Sequence, residues 1–141
     1  MRKFVLLACA AMMLPVCGPT AAQPKTADVE HVVRRHMAAY DKQDIEALMA
    51  DYGDDVVAVM SGQVFHGKAA LRALFAQYFT GTAQKFDAKL DRVEGDTGVT
   101  LWVANPGAAN AIQGNDVFVV RDGKIRFQAT TGVKPVALAK P

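Results

Sequence analysis

Hydrophobic residues recur at helical spacing in three segments of the N-terminal part of the chain. In the first, over about residues 27–40, apolar side chains follow the spacing of one helix face, and His36 lies among them. A second helix is predicted after Asp44, a residue type that caps helix N-termini, and its apolar spacing runs to Tyr52, with Gly53 as its stop. A third helix is predicted from Gly67 to Gly81. The pattern therefore predicts three short amphipathic helices, each with one apolar face.

Alternation of period two replaces the helical spacing elsewhere in the chain. It predicts two short strands before the third helix and four longer ones after it, at residues 56–60, 63–66, 84–94, 97–105, 109–121 and 124–132. The last two strands are joined by Asp122-Gly123, a pair that favours the positive φ angles of a type I′ hairpin turn.

Helices followed by antiparallel strands predict an α+β domain. We expect a curved antiparallel sheet in the shape of a cone, with the three helices packed on its concave face. The interior of such a cone is apolar and forms a natural ligand pocket.

Residues 1–22 have the pattern of a secretory signal peptide. Arg2 and Lys3 precede an apolar run that is too short to span a membrane, and the small residues Thr20, Ala21 and Ala22 form a cleavage site. The pattern predicts a periplasmic or secreted protein with a single domain over residues 23–133 and a flexible tail over 134–141. An uncleaved anchor and a lipidated Cys17 are the alternatives.

Removal of this segment changes both the cysteine content and the charge. Cys9 and Cys17 both lie within it, so the mature chain has neither a disulfide nor a thiol nucleophile. Without Arg2 and Lys3, the 16 basic residues become 14, equal to the 14 acidic ones. A neutral domain is not expected to bind nucleic acid or, after signal cleavage, a membrane surface. No metal-ligand spacing and no cofactor motif is present, so neither a metal nor a cofactor is predicted.

Four local sequences carry a resemblance to a known superfamily. They are residues 44–48 at the first helix joint, 54–57 before the first strand, 65–71 at the third helix, and 114–125 across the hairpin. In this order they resemble the nuclear transport factor two-like superfamily, in particular its SnoaL-like and ketosteroid isomerase-like branch, over nearly all of residues 27–132. The resemblance implies a cystatin-like α+β barrel. It implies less about chemistry, because the superfamily includes isomerases, polyketide cyclases, dehydratases and dimerising modules.

Asp116 is the chemical anomaly of the predicted hairpin, because by period two it shares a face with Phe118 and Val120. The resemblance places it where steroid isomerases carry the protonated aspartic acid of their oxyanion hole, and desolvation would raise the pKa of such a carboxyl. The alternative is an aspartate hydrogen-bonded to nearby backbone.

His36 falls where those isomerases carry a tyrosine. We predict either an acid–base dyad of His36 with Asp116 inside the cone or a hydrogen-bonded core histidine. Met60 falls at the position of the isomerase base, and methionine takes no proton, so a ketosteroid isomerase mechanism as such is not expected.

Three functional hypotheses follow. The first is proton-transfer chemistry, such as isomerisation, cyclisation or dehydration, with His36 as the catalytic acid/base and Asp116 as the catalytic hydrogen-bond donor. The second is a non-catalytic module that binds a small, largely apolar molecule. The third is a dimerising domain whose interior is filled by its own side chains.

The predicted ligand-binding residues are Tyr40, Met60, Phe75, Trp102 and Phe118. A homodimer is expected through the outer sheet face, which carries Val117, Val119 and, in one orientation, Trp102.

Overall fold

The computed structural model describes residues 26–80 and 85–136. Its helices are α1 (Thr26–Asp41), α2 (Ile45–Asp51) and α3 (Gly67–Phe79), and its strands are β1 (Tyr52–Met60), β2 (Gln63–His66), β3 (Phe86–Glu94), β4 (Thr97–Ala104), β5 (Ile112–Arg121) and β6 (Lys124–Pro135). These are the predicted elements in the predicted order, with small differences at most of their ends. The predicted signal peptide lies outside the described residues. Within them, no helix combines the length and the apolar character that a membrane crossing requires.

The strands form one six-stranded sheet in the order β2-β1-β6-β5-β4-β3. Strands β3 to β6 make an antiparallel meander, and β1 and β2 form a hairpin. Strand β1, however, pairs with β6 in parallel, so the sheet is mixed and the prediction of a wholly antiparallel sheet was wrong at this pairing. Within residues 26–80 and 85–136, β2 and β3 are the edge strands, and the sheet of the α+β cone is therefore open rather than closed into a barrel.

Two local predictions are confirmed by backbone geometry. The carboxylate of Asp44 accepts a hydrogen bond from the backbone N–H of Ala47 at 3.0 Å, which is the N-cap of α2. Asp122 and Gly123 have φ angles of 53° and 67°, as a type I′ turn requires, and this turn sets the register of β5 against β6.

The junction between α2 and β1 differs from the prediction. The periodicity of the second helix included Tyr52 and placed the stop at Gly53, but α2 ends at Asp51 and Tyr52 is already the first residue of β1. Both Asp51 and Tyr52 are fully buried. The direct passage from helix to strand therefore turns two adjacent side chains into the interior.

Strand β6 extends beyond its predicted end at residue 132. Strand β6 continues to Pro135, and Lys134 and Pro135 lie opposite Gln113 and Ile112 of β5. Backbone pairing therefore orders the start of the segment predicted to be flexible, while residues 137–141 lie outside the described part of the chain.

The hydrophobic core lies between the helices and the concave face of the sheet. The first half of α1 packs closely on β4. Val33 lies so near Gly98 that a Cβ atom added to the glycine would be 3.0 Å from Cγ2 of Val33. The second half of α1 does not pack in the same way. Its residues His36, Met37 and Tyr40 line an open space between the helices and the sheet.

Candidate ligand cavity and its acid–base network

A cavity of about 590 Å³ lies inside the cone. This volume falls within the range of roughly 300–1,000 Å³ that is typical of small-molecule sites. Its walls come from α1, α3 and the concave face of the sheet, and they include His36, Met60, Phe75, Thr100, Trp102, Asp116, Gln128 and Thr130. An open interior of this size contradicts the hypothesis that the cone is filled by its own side chains.

The structure brings all of the predicted site residues to this one cavity. The two predicted catalytic residues and the five predicted ligand-binding residues all line it: His36, Asp116, Tyr40, Met60, Phe75, Trp102 and Phe118. Trp102 therefore lies on the inner face of β4 and not on the outer face. Their roles in binding or catalysis remain predictions.

Trp102 is held against a glycine on the neighbouring strand. Trp102 and Gly114 are directly opposite in the β4–β5 register, and a Cβ atom at Gly114 would lie 2.5 Å from Cζ2 of the indole. Only glycine leaves room for the ring in this position, so the lack of a side chain at 114 shapes the cavity wall.

Asp116 lies partly buried on the inner face of β5. Thr130 Oγ1 donates a hydrogen bond to Asp116 Oδ1 at 2.5 Å from the neighbouring strand. Burial raises the pKa of Asp116 above its usual value, and it outweighs the lowering effect of hydrogen bonds from Thr130 and Gln128, of nearby His36 and of Trp102. The direction of the shift agrees with the prediction for a carboxyl in an apolar pocket.

This raised pKa has a consequence for stability. A carboxyl whose pKa is raised by folding contributes stability below its unfolded pKa, near 4, and loses it as the pH rises through the folded pKa. Asp116→Asn removes the ionisation and keeps the volume. We therefore expect Asp116→Asn to melt at a higher temperature than wild type at pH 7, with the difference disappearing at about pH 3. A lower melting temperature of the variant at pH 7 would contradict this assignment.

His36 does not form the predicted direct pair with Asp116. Its Nε2 atom lies 3.2 Å from the hydroxyl of Tyr52, and its Nδ1 atom lies 3.7 Å from Oδ2 of Asp51. The Tyr52 hydroxyl donates to Oε1 of Gln128, and Gln128 in turn lies within hydrogen-bonding reach of Asp116. His36 is thus connected to Asp116 through Tyr52 and Gln128. With only 3% of its surface exposed, it fits the alternative of a hydrogen-bonded core histidine.

Asp51 anchors the far end of this chain of groups. Its Oδ1 atom accepts a hydrogen bond from Nε of Arg35 at 2.6 Å and forms an ion pair with Nη2 of the same guanidinium at 2.5 Å. Burial acts to raise the pKa of Asp51, but the interactions with His36 and Arg35 prevail and hold it below the usual value. Asp51 is therefore an ionised carboxylate at neutral pH, facing the imidazole of His36.

Tyr40 and Tyr52 stay protonated at neutral pH. Burial, with added repulsion from Tyr78 and Asp116, raises the pKa of Tyr40 to about 12. Burial also raises the pKa of Tyr52 well above its usual value, and the charges of Asp116 and Asp51 act in the same direction. Both phenols can therefore donate hydrogen bonds.

Sequence reasoning missed Asp51, Tyr52 and Gln128. Asp51 lies off the apolar spacing of the second helix, and Tyr52 was assigned to that helix although it is the first residue of β1. Gln128 is an ordinary polar residue of β6, and it gains its role only because β6 lies beside β1.

No group of three or more histidine, cysteine, aspartate or glutamate residues within 26–80 and 85–136 is placed to hold a metal ion.

The cone with its interior cavity defines a class of domain, and comparison with known proteins identifies the family. Residues 33–128 match the SnoaL-like domain, and the chain belongs to this family. No curated protein matches the chain.

Solved structures show the same fold at low sequence identity. A "putative ketosteroid isomerase" from Kribbella flavida DSM 17836 is 14% identical, with a TM-score of 0.69 over 82% of this chain and 84% of that one. A "putative polyketide cyclase" from Sinorhizobium meliloti is 18% identical, with a TM-score of 0.65 over 76% and 99%. An NTF2-like protein of unknown function from Exiguobacterium sp. 255-15 is 25% identical, with a TM-score of 0.59 over 70% and 95%. The recognised superfamily and the α+β cone are thereby confirmed.

Proposed function

We propose that this SnoaL-like protein binds a small, largely apolar molecule inside the cone. The observation that carries the proposal is the open cavity of about 590 Å³, which has aromatic walls and a single inner carboxylate, Asp116. An apolar cavity with a few convergent polar groups is the usual form of a ligand site. The polar groups beside Asp116, namely Thr130, Gln128 and Trp102, would orient a ligand at this end of the cavity.

A second candidate function is proton transfer on the bound molecule. It is favoured by the position of Asp116, a carboxyl of raised pKa that lines the cavity and is joined to His36 through Gln128 and Tyr52. In this proposal Asp116 takes a proton from an acidic C–H bond of the ligand and returns it to another atom of the same molecule. The reaction is then an isomerisation, or the proton-transfer part of a cyclisation or dehydration. The solved structures named as an isomerase and a cyclase support this class of reaction, but they support no particular substrate or product.

Trp102 makes ligand binding directly measurable, because it is the only tryptophan of the chain and lines the cavity. We expect apolar carbonyl compounds that raise the melting temperature to change the fluorescence of Trp102 as well. The change Gly114→Ala should displace the indole and weaken binding by about tenfold or more, on the scale of overpacking. Gln113→Ala, on the opposite face of β5, is the matched control and should bind normally. Equal affinity of the two variants would contradict a ligand site in the cone.

We also propose a homodimer through the outer face of the sheet. Val99 lies opposite Val117 on this face, and the neighbouring Leu101 is 39% exposed. Apolar side chains on an open sheet favour a covering partner. Light scattering at micromolar concentration should give twice the mass of the mature chain, and Val117→Lys should convert it to the monomer mass. A monomer in the wild type would contradict the proposal.

Export to the periplasm or the exterior is a further proposal. It rests on the signal-peptide pattern of residues 1–22. Mass spectrometry of the exported protein should find a chain that begins at Gln23. An intact Met1 or a lipid on Cys17 would contradict the proposed cleavage.

A further inference from the structure

The charges that line the cavity have one sign. Of the described residues on its walls, three are aspartates and none is lysine or arginine: Asp116 on the inner wall, with the exposed Asp41 and Asp87. This bias is local, because acidic and basic residues balance in the predicted mature chain. A cavity with this lining creates a negative potential that attracts cations and repels anions.

Aromatic rings surround the same space. Seven line it, from α1, α3 and three strands: Tyr40, Phe75, Tyr78, Phe79, Phe86, Trp102 and Phe118. The ring of Tyr40 lies 4.9 Å from that of Phe86 and 5.3 Å from that of Phe79, both edge to face. Phe86 in turn lies 5.9 Å from Trp102, so the rings form a connected wall with different orientations. The faces of such rings attract ammonium groups through the ring quadrupole.

The carboxylate and this aromatic wall face each other. Asp116 lies close enough to Tyr40 to contribute to the raised pKa of the phenol. On its other sides Asp116 meets hydrogen-bond donors, Thr130 and Gln128 of β6 and Trp102 of β4, which suit an ionised acceptor. What the carboxylate lacks within the described residues is a lysine or arginine partner.

His36 is the one group on the described walls that can itself carry a positive charge. Its two nitrogens, however, are directed to Tyr52 of β1 and to Asp51, away from the open space. The other titratable groups that line the cavity or act on Asp116 carry no positive charge. They are Tyr40 and Tyr52, phenols whose pKa values are raised, the phenol Tyr78, and the aspartates Asp41 and Asp87. Among the described residues, no lysine or arginine lines the cavity and His36 is turned away from it, so a ligand can supply a positive charge to Asp116 from the open space.

We propose that the cavity selects a cationic ligand, an ammonium group on a small apolar body, with the charge held between Asp116 and the aromatic wall around Tyr40. This inference rests on the proposed binding function and names the chemical class of the ligand. A neutral body of the same shape would fill the cavity equally well but would leave the carboxylate without a counter-charge. If two ligands have the same shape and only one is charged, the difference between their affinities measures the contribution of the charge.

The experiment uses two probes of the same shape, 3-(trimethylammonio)phenol and its neutral counterpart 3-tert-butylphenol. Titration of the mature protein at pH 7, followed by Trp102 fluorescence and calorimetry, should show the cation binding at least about tenfold more tightly. Equal or tighter binding of the neutral probe would overturn the inference and leave the proposed binding function intact. Binding of neither probe at millimolar concentration would count against both.

Substitution then tests the role of Asp116. Asp116→Asn keeps the size and should reduce the preference for the cation by about tenfold, while the neutral probe keeps its affinity within about twofold. Asp91→Asn, which removes an exposed carboxylate of the same sheet outside the cavity, is the matched control and should leave the preference unchanged. An undiminished preference in Asp116→Asn would overturn the assignment.

The pH dependence gives an independent check. Deprotonation of Asp116 should strengthen binding of the cation as the pH rises from about 4 to 7.5, because the group starts from a raised pKa, while binding of the neutral probe should not strengthen. Binding of the cation that weakens over this range would contradict an ion pair with Asp116.

Discussion

Phe75→Ala is expected to lower the free energy of unfolding by about 3 kcal/mol, the lower end of the range for a buried phenylalanine. Phe75 is 2% exposed, and its ring lies 5.9 Å from that of Tyr40 and 6.2 Å from that of Tyr52. The lower end applies because the side chain borders an existing cavity, so the surroundings can relax into open space. For a domain of this size the melting temperature should fall by roughly 12 °C.

The neighbouring Tyr78→Ala provides the matched control. Tyr78 belongs to the same helix and contacts Phe75 at 6.1 Å, but it is 45% exposed. Its truncation removes a ring of similar size with little loss of buried surface, and should cost less than about 1 kcal/mol. Chemical denaturation of both variants checks the pair. Equal losses would mean that Phe75 is not an anchor between α3 and the sheet.

The sequence predicted those parts of the fold that depend on neighbouring residues. Asp44 caps its own helix through Ala47, and Asp122-Gly123 makes its own turn, so each signal lies within a few residues of the structure it specifies. The resemblance and the period-two face of β5 were enough to place Asp116 in the cavity, with the pKa shift in the expected direction.

Contacts between distant segments could not be predicted in this way. The parallel pairing of β1 with β6 joins segments separated by most of the domain, and no local pattern encodes it. That pairing brings Tyr52 to Gln128, 76 residues later in the chain, and so completes the link from His36 to Asp116. For this reason His36 does not form the direct dyad with Asp116, one of the two predicted alternatives, and fits the other, a hydrogen-bonded core histidine. The interior between them is occupied by two groups whose proximity only the folded sheet creates.

Asp51→Asn is the other substitution expected to have a large effect. The carboxylate is fully buried, accepts a hydrogen bond from Nε of Arg35 within an ion pair, and faces Nδ1 of His36. Removing one partner of a buried ionic group typically costs about 3–5 kcal/mol. Arg35 is half exposed and can be hydrated when its partner changes, so we expect a loss of about 2 kcal/mol at pH 7.

The pH dependence of that loss follows from the lowered pKa of Asp51. A carboxylate whose pKa is lowered by folding contributes stability above its unfolded pKa, near 4, and loses it as the pH falls through the folded pKa. The difference between wild type and Asp51→Asn should therefore be largest at neutral pH and shrink at about pH 3. Glu30→Gln, which breaks the exposed pair of Glu30 with Arg34, is the matched control and should cost less than about 0.5 kcal/mol.

A comparison with Arg35→Gln then separates the two partners of Asp51. If the carboxylate stabilises only Arg35, then Arg35→Gln and Asp51→Asn should lower the free energy of unfolding by the same amount, because each breaks the same ion pair. If it also orients His36, then Asp51→Asn should cost more and should shift the imidazole resonances of His36 in NMR spectra, which Arg35→Gln should leave nearly unchanged. We expect the second result, because His36 Nδ1 and Asp51 Oδ2 are both buried, 3.7 Å apart, and without any other hydrogen-bond partner among the described residues. Equal costs with unshifted resonances would show that Asp51 serves the ion pair alone and that the network begins at His36.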